Sequence, residues 1–241
     1  MLFLSRFYKK RTGEPLRRFR EDFCGTALLS CEFVRLHREN RAIGIDLDAS
    51  TLKWARKHNL SRLDPDQRSR VRLLRGNVLD LRRPRVQVTA ALNFSYSVFK
   101  TRKLMLEYMR NAYRSLKPRG MLMMDAWGGS DTLIKTEDRR RQHGFTYVWD
   151  QAQFDPVSHD ILCKIHFEFR DGTRMRNAFV YDWRLWTLPE MQEIMSEAGF
   201  RDVHVLWEGT DRETGEGNGV FRRVTRGGDE DAWIAYVVGR K

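Results

Sequence analysis

Two short clusters hold the residues with the clearest chemical use. The first is Glu21-Asp22-Phe23-Cys24-Gly25-Thr26-Ala27, and the second is Ile43-Gly44-Ile45-Asp46. A small residue directly after a strand lets the backbone approach a ligand, and a helix starting there aims unpaired N–H groups at it. An acidic residue about 20 positions later, ending the next strand, accepts hydrogen bonds from ribose hydroxyls. Asp46 follows Gly25 by 21 positions. This is the chemistry of a site for a nucleoside-containing ligand. The plainer reading is a tight turn and a solvated carboxylate, which many folds contain. Asp48 competes for the ribose role, but the Gly44-Ile45-Asp46 pattern favours Asp46.

These clusters need strands and helices to hold them, and the chain alternates short apolar runs with amphipathic stretches, the pattern of a parallel sheet flanked by helices. Strands are expected at 19–24, 42–46, 71–74, 86–92 and 121–126, with helices at 26–37, 50–59 and 101–116 and a turn at 117–120. The rhythm then changes. Residues 145–149, 161–169 and 175–183 have β character, and Asp171-Gly172 marks a hairpin. An antiparallel insertion is therefore expected over 145–186. Thr187 and Glu190 have capping-box spacing and open a helix that Gly199 stops. Strands at 203–207 and 232–238 close the chain, separated by a Gly-rich loop over 209–228.

The 241 residues suit one domain (1–241), and no apolar run approaches a membrane span. Cys24, Cys31 and Cys163 fit neither a metal spacing nor a disulfide framework, and no secretion signal is evident. A cytoplasmic protein without a metal is the expectation, as a monomer or homodimer. The net charge of +12 would suit a polyanion such as nucleic acid. Only 10 of the 44 basic residues are Lys, however, and the arginines are spread along the chain. Residues 139–141, three consecutive arginines, read as a solvated helix face rather than a phosphate clamp.

Cys24-Gly25-Thr26 at the first strand–helix turn, followed by Gly44-Ile45-Asp46-Leu47-Asp48, resembles motifs of class I S-adenosylmethionine-dependent methyltransferases. Three further segments resemble that family in order: Arg75-Gly76-Asn77-Val78, Leu116-Lys117-Pro118-Arg119-Gly120 and Glu197-Ala198-Gly199-Phe200. The resemblance implies an α/β fold with a seven-stranded, mostly parallel Rossmann-like sheet, helices on both faces and a small antiparallel lid after strand five. It also implies S-adenosylmethionine as cofactor and S-adenosylhomocysteine as product.

Carried over by residue, the resemblance assigns Glu21, Phe23, Cys24, Gly25, Thr26 and Ala27 to the methionine part of the cofactor. It assigns Asp46 to the ribose, Leu47, Asn77 and Val78 to adenine, and Asn93, Phe94 and Ser95 to the sulfonium end. Phe23 and Ala27 stand where the family has glycines, so a narrower backbone approach is expected at Phe23. About 20 residues precede the motif, which implies either an open site or a truncated start.

The sulfonium is already electrophilic, so no catalytic triad is required and no catalytic residue is assigned. Candidate acceptor-site residues are Tyr96, Trp127, Trp149, His166 and Asn218. Trp127, Trp149, Trp183 and Trp186 would together suit a cage for a cation, and each would equally suit core packing. Residues 208–219 would either close over substrate or form a surface loop. The expected function is methyl transfer to nitrogen or oxygen of a small-molecule acceptor. An RNA or protein methyltransferase using the basic surface is the second reading, and a non-catalytic cofactor-binding scaffold the third.

Overall fold

The computed structural model describes residues 1–211, 213–215 and 217–241. In chain order the elements are α1 (Leu2–Thr12), β1 (Arg18–Asp22), α2 (Leu28–Arg35), β2 (Arg41–Asp46), α3 (Ala49–His58), α4 (Pro65–Ser69), β3 (Val71–Arg75), β4 (Val86–Ala91), α5 (Arg102–Ser115) and β5 (Leu116–Gly128). They continue with β6 (Thr136–Arg141), β7 (Phe145–Phe154), β8 (Asp160–Phe169), β9 (Arg174–Arg184), α6 (Leu188–Glu197), β10 (Arg201–Thr210), β11 (Gly217–Val224) and β12 (Trp233–Arg240). No helix among the described residues is long and apolar enough to cross a membrane.

The main sheet runs β11-β10-β12-β5-β4-β1-β2-β3. Strands β1 to β5 are parallel to their neighbours within this group, and β12, β10 and β11 add antiparallel pairings. The chain passes from β1 outward to β3, then returns to lay β4 on the other side of β1. That reversal opens a crevice at the carboxyl ends of β1 and β4, where ligands of open α/β sheets bind. The Cys24 turn and the loop at Asn93 both lie there.

Two apolar cores cover the faces of the sheet. One packs Met105, Tyr108, Met109 and Ala112 of α5 and Met191, Ile194 and Met195 of α6. The other packs Leu4 and Tyr8 of α1 with Phe33 and Val34 of α2 and Leu52 and Ala55 of α3. Within the sheet, Arg20 is only 1% exposed. Its Nε donates to Asp22 Oδ1 at 2.5 Å, and Tyr108 Oη donates to Asp22 Oδ2 at 3.0 Å. This buried pair ties the end of β1 to α5.

Four expectations need correction. The main sheet has eight strands rather than seven, because Gly217–Val224 pairs with β10 inside the supposed Gly-rich loop. The insertion has four strands and begins at Thr136 rather than 145, because 136–141 pairs with β7. The arginines at 139–141 therefore lie on an edge strand, where charges deter further pairing. Residues 117–120 lie inside β5, with Arg119 at φ 62° and a register shift against β4. In addition, residues 2–12 form a helix that no expectation covered. Its Phe3 lies 5.6 Å from Phe221 and 5.9 Å from Tyr236, between ring centroids, so α1 backs the added strand.

Candidate active site

The first turn keeps a glycine-loop shape with one glycine. Phe23, Gly25 and Ala27 have φ of 54°, 49° and 56°, all in the left-handed region. A non-glycine residue there carries about 1–2 kcal/mol of strain. Phe23 is held by ring contacts with Phe99 and Tyr108, both at 5.8 Å. Its side chain thus packs toward α5. Ala27 is fully buried at the start of α2.

Glu21 serves the same turn from behind. Its Oε2 accepts from the backbone N of Ser30 at 2.9 Å and from Ser30 Oγ at 2.5 Å, capping the first turn of α2. Burial pushes its carboxyl up to about 7 despite these bonds. Cys24 is buried, and burial pushes its thiol well above its ordinary range. A Cβ on Gly44 would lie 2.8 Å from Cys24 Sγ, so Gly44 makes room for that thiol. Thr26 is exposed, and its carbonyl accepts from Asn59 Nδ2 at 2.8 Å.

Asp46 joins three strand ends. Its Oδ2 accepts from the Gly25 N–H at 2.8 Å, and its Oδ1 from the Asp48 N–H at 2.9 Å. Its carbonyl accepts from the Gly76 N–H at 3.0 Å. Asp48 is committed elsewhere: its Oδ1 accepts from the N–H groups of Ser50 and Thr51 and caps α3. That leaves Asp46 as the carboxylate at the crevice. Leu47 is 63% exposed beside it. Asn77 turns the loop after β3, its Oδ1 accepting from the Leu79 N–H at 3.0 Å.

Across the crevice, the loop after β4 is held by a residue that the sequence reading did not single out. The Asp125 carboxylate accepts from the Asn93 N–H at 2.6 Å and from the Phe94 N–H at 3.0 Å. Ser95 Oγ donates to the Leu92 carbonyl at 3.1 Å. From Phe94 a row of aromatic rings climbs the inserted sheet. Centroids are 5.6 Å apart from Phe94 to Trp127, 5.9 Å from Trp127 to Trp149, 6.2 Å from Trp149 to Tyr181 and 4.3 Å from Tyr181 to Trp183.

Residues 23–120 match the family model described as a methyltransferase domain. This chain carries a class I S-adenosylmethionine-dependent methyltransferase domain. The solved structures agree on the fold. The CcbJ methyltransferase from Streptomyces caelestis is 15% identical, with a TM-score of 0.71 over 93% of this chain and 83% of that one. The S-adenosylmethionine-bound structure of CalS10, an amino pentose methyltransferase from Micromonospora echinaspora, is 16% identical, with a TM-score of 0.67 over 100% and 89%. KedS8, a sugar N-methyltransferase from Streptoalloteichus sp, is 16% identical, with a TM-score of 0.64 over 100% and 86%. A comparison with curated protein sequences finds no match.

The turn leaves the open space that a cofactor approaching the backbone would need. A Cβ added at Gly25 would meet no atom within 4 Å. Each Asp46 oxygen accepts one N–H and keeps a lone pair free for a hydroxyl.

The other candidate residues divide. Trp127 and Trp149 stand in the aromatic row. Tyr96 does not face the site: it is 1% exposed, and its hydroxyl donates to the Asp125 carbonyl. Val78 is 4% exposed in the α5 core, so its side chain is not offered to adenine. His166 lies opposite Val148, one residue out of step with Trp149 opposite Ile165, which places it on the outer face of the lid. There its Nε2 is 3.3 Å from Asp150 Oδ2, and its Nδ1 accepts from the Asn177 N–H at 2.8 Å. Asn218 shapes the β10–β11 hairpin, its Oδ1 accepting from the Val220 N–H at 2.9 Å. Within the supposed closing segment 208–219, Arg212 and Glu216 lie outside the described residues. Trp183 joins the lid core, whereas Trp186 packs beneath α6. The missed residues Asp125 and Tyr181 left one signal: a lone acid inside the apolar run 121–126.

Proposed function

We propose that the methyltransferase methylates a nitrogen or oxygen of a small-molecule acceptor laid against the inner face of the inserted sheet. The observation that carries this reading is the aromatic row from Phe94 through Trp127 and Trp149 to Tyr181, which starts at the crevice loop. Flat aromatic faces suit a compact acceptor and attract a cationic one. CalS10 and KedS8, which share the fold, are described as an amino pentose and a sugar N-methyltransferase, and an amine on a small ring is the first acceptor class to test.

The chain's own residues bind and align. Asp46 would take the ribose hydroxyls, Leu47 would lie against adenine with Asn77 beside it, and the Cys24–Ala27 turn would hold the methionine part. When bound, S-adenosylmethionine supplies a methyl group already activated for transfer. The aromatic row orients the acceptor and displaces water, and such positioning supplies much of the rate.

Part of the arginine excess is engaged within the fold itself. Arg20 and Arg70 are buried, and Arg17, Arg102, Arg119, Arg139 and Arg140 each pair with a carboxylate of the chain. The test is incubation with S-adenosylmethionine and panels of amino sugars, simple amines, hydroxylated rings and transfer RNA, reading S-adenosylhomocysteine release. Turnover with small amines or alcohols is expected. Turnover with RNA alone would contradict the reading.

A further inference from the structure

We propose that Asp125 is the positioning residue of the acceptor site, fixing the Asn93–Phe94 backbone so that the Phe94 ring stays seated on Trp127. The inference rests on the acceptor wall proposed above. Asn93 and Phe94 have φ of 58° and 56°, two consecutive left-handed residues without a glycine. Asn tolerates that region, but Phe does not, so Phe94 needs outside restraint. The restraint comes from one strand. The Asp125 carboxylate takes both backbone N–H groups, at 2.6 and 3.0 Å, and Trp127, two residues along β5, takes the Phe94 ring at 5.6 Å. The Asp125 carbonyl accepts from the Tyr96 hydroxyl as well. The Ser97 N–H donates to the Phe94 carbonyl at 2.9 Å and closes the turn. One residue thereby grips the loop at three points.

The clamp is sensitive to protonation. No ion pair to Asp125 exists among the described residues. Burial raises its carboxyl to about 7, opposed by the bonds from Phe94 and Asn93. The titratable groups facing it are Tyr96, through the carbonyl, and Tyr236, opposite it on β12. Burial pushes both phenols up, so they stay neutral through this range. Ionised, Asp125 offers acceptors to both N–H groups. Protonated, one oxygen becomes a donor and the grip weakens.

The test needs no identified acceptor. Amide resonances of Asn93 and Phe94, and the indole N–H of Trp127, are followed by NMR between pH 5.5 and 8.5. All three are expected to titrate together with a midpoint near 7, and Asp125→Asn is expected to abolish that step. Absence of the step in the wild-type protein, or its persistence in Asp125→Asn, would overturn the proposal. The wild-type titration decides the matter even if the variant does not fold. Failure of the wild-type protein to bind S-adenosylhomocysteine would contradict the cofactor assignment, while the titration still judges the clamp.

Discussion

The backbone N–H of Gly25 donates to Asp46 Oδ2 at 2.8 Å, linking the turn after β1 to the end of β2. The carboxylate that would bind a ribose therefore also sets the turn that would hold the methionine part. That contact could not form if β1 and β2 were out of register, and they pair in parallel from Arg18 opposite Arg41 to Asp22 opposite Ile45. The geometry of this turn is thus a direct product of strand pairing.

Gly25→Ala separates binding from stability. A Cβ there meets no protein atom, so the stability loss is limited to left-handed strain of about 1–2 kcal/mol. The same Cβ would point into the space where the cofactor is proposed to approach. Cofactor affinity is expected to fall at least about tenfold, or 1.4 kcal/mol, while the fold persists by circular dichroism. Unchanged affinity would place the cofactor elsewhere.

The two non-glycine residues of the turn are expected to behave oppositely on replacement. Ala27→Gly relieves about 1–2 kcal/mol of strain but loses a buried methyl worth about 0.8 kcal/mol and loosens the unfolded chain, leaving stability near unchanged. Phe23→Gly also relieves strain, but it removes the ring from Phe99 and Tyr108, with an expected net loss of about 2–3 kcal/mol. Urea unfolding reads both. A stabilised Phe23→Gly would show that the ring packing contributes little.

Much of this was legible in the sequence, and the boundary follows from physics. The parallel half announced itself because buried parallel strands are apolar runs separated by amphipathic helices. The capping box of Thr187 and Glu190 formed as its spacing implied. Edge strands stayed hidden. Thr136–Arg141 is mostly charged and Gly217–Val224 starts with glycines, and both become strands through pairing with a neighbour rather than through their own propensity. Helix α1 was obscured by Lys9, Lys10 and Arg11, which favourably end it, although Phe3 and Phe7 already had helical spacing. At the site, motif position located Asp46, but it could not show that Val78 and Tyr96 point into the core.

Two buried acids make stability depend on pH. Glu21 is raised from 4.5 to about 7 and Asp125 from 3.8 to about 7, each chiefly by burial. A raised carboxyl favours folding while both states are protonated, and that contribution is lost as pH rises through the folded value. Stability is expected to fall between pH 4.5 and 8. Glu21→Gln keeps an acceptor for the Ser30 N–H and removes the ionisation. It is expected to gain on the order of 2–3 kcal/mol relative to wild type at pH 8, with little difference at pH 4.5. Thermal unfolding at the two pH values checks this, and a larger gain at pH 4.5 would reverse the sign.

Trp127→Ala and Trp149→Ala test the acceptor wall. Once an acceptor is known, each is expected to raise its KM at least about tenfold, or 1.4 kcal/mol of lost binding, with S-adenosylhomocysteine affinity within twofold. Unchanged KM would mean that the aromatic row is only lid core.

Calorimetric titration of the wild-type protein and Asp46→Ala with S-adenosylmethionine and S-adenosylhomocysteine bears most directly on the cofactor site. Micromolar binding by the wild-type protein, weakened about tenfold or more in a folded Asp46→Ala, is expected. Equal binding by the two proteins, or none by the wild type, would contradict the site assembled around Asp46.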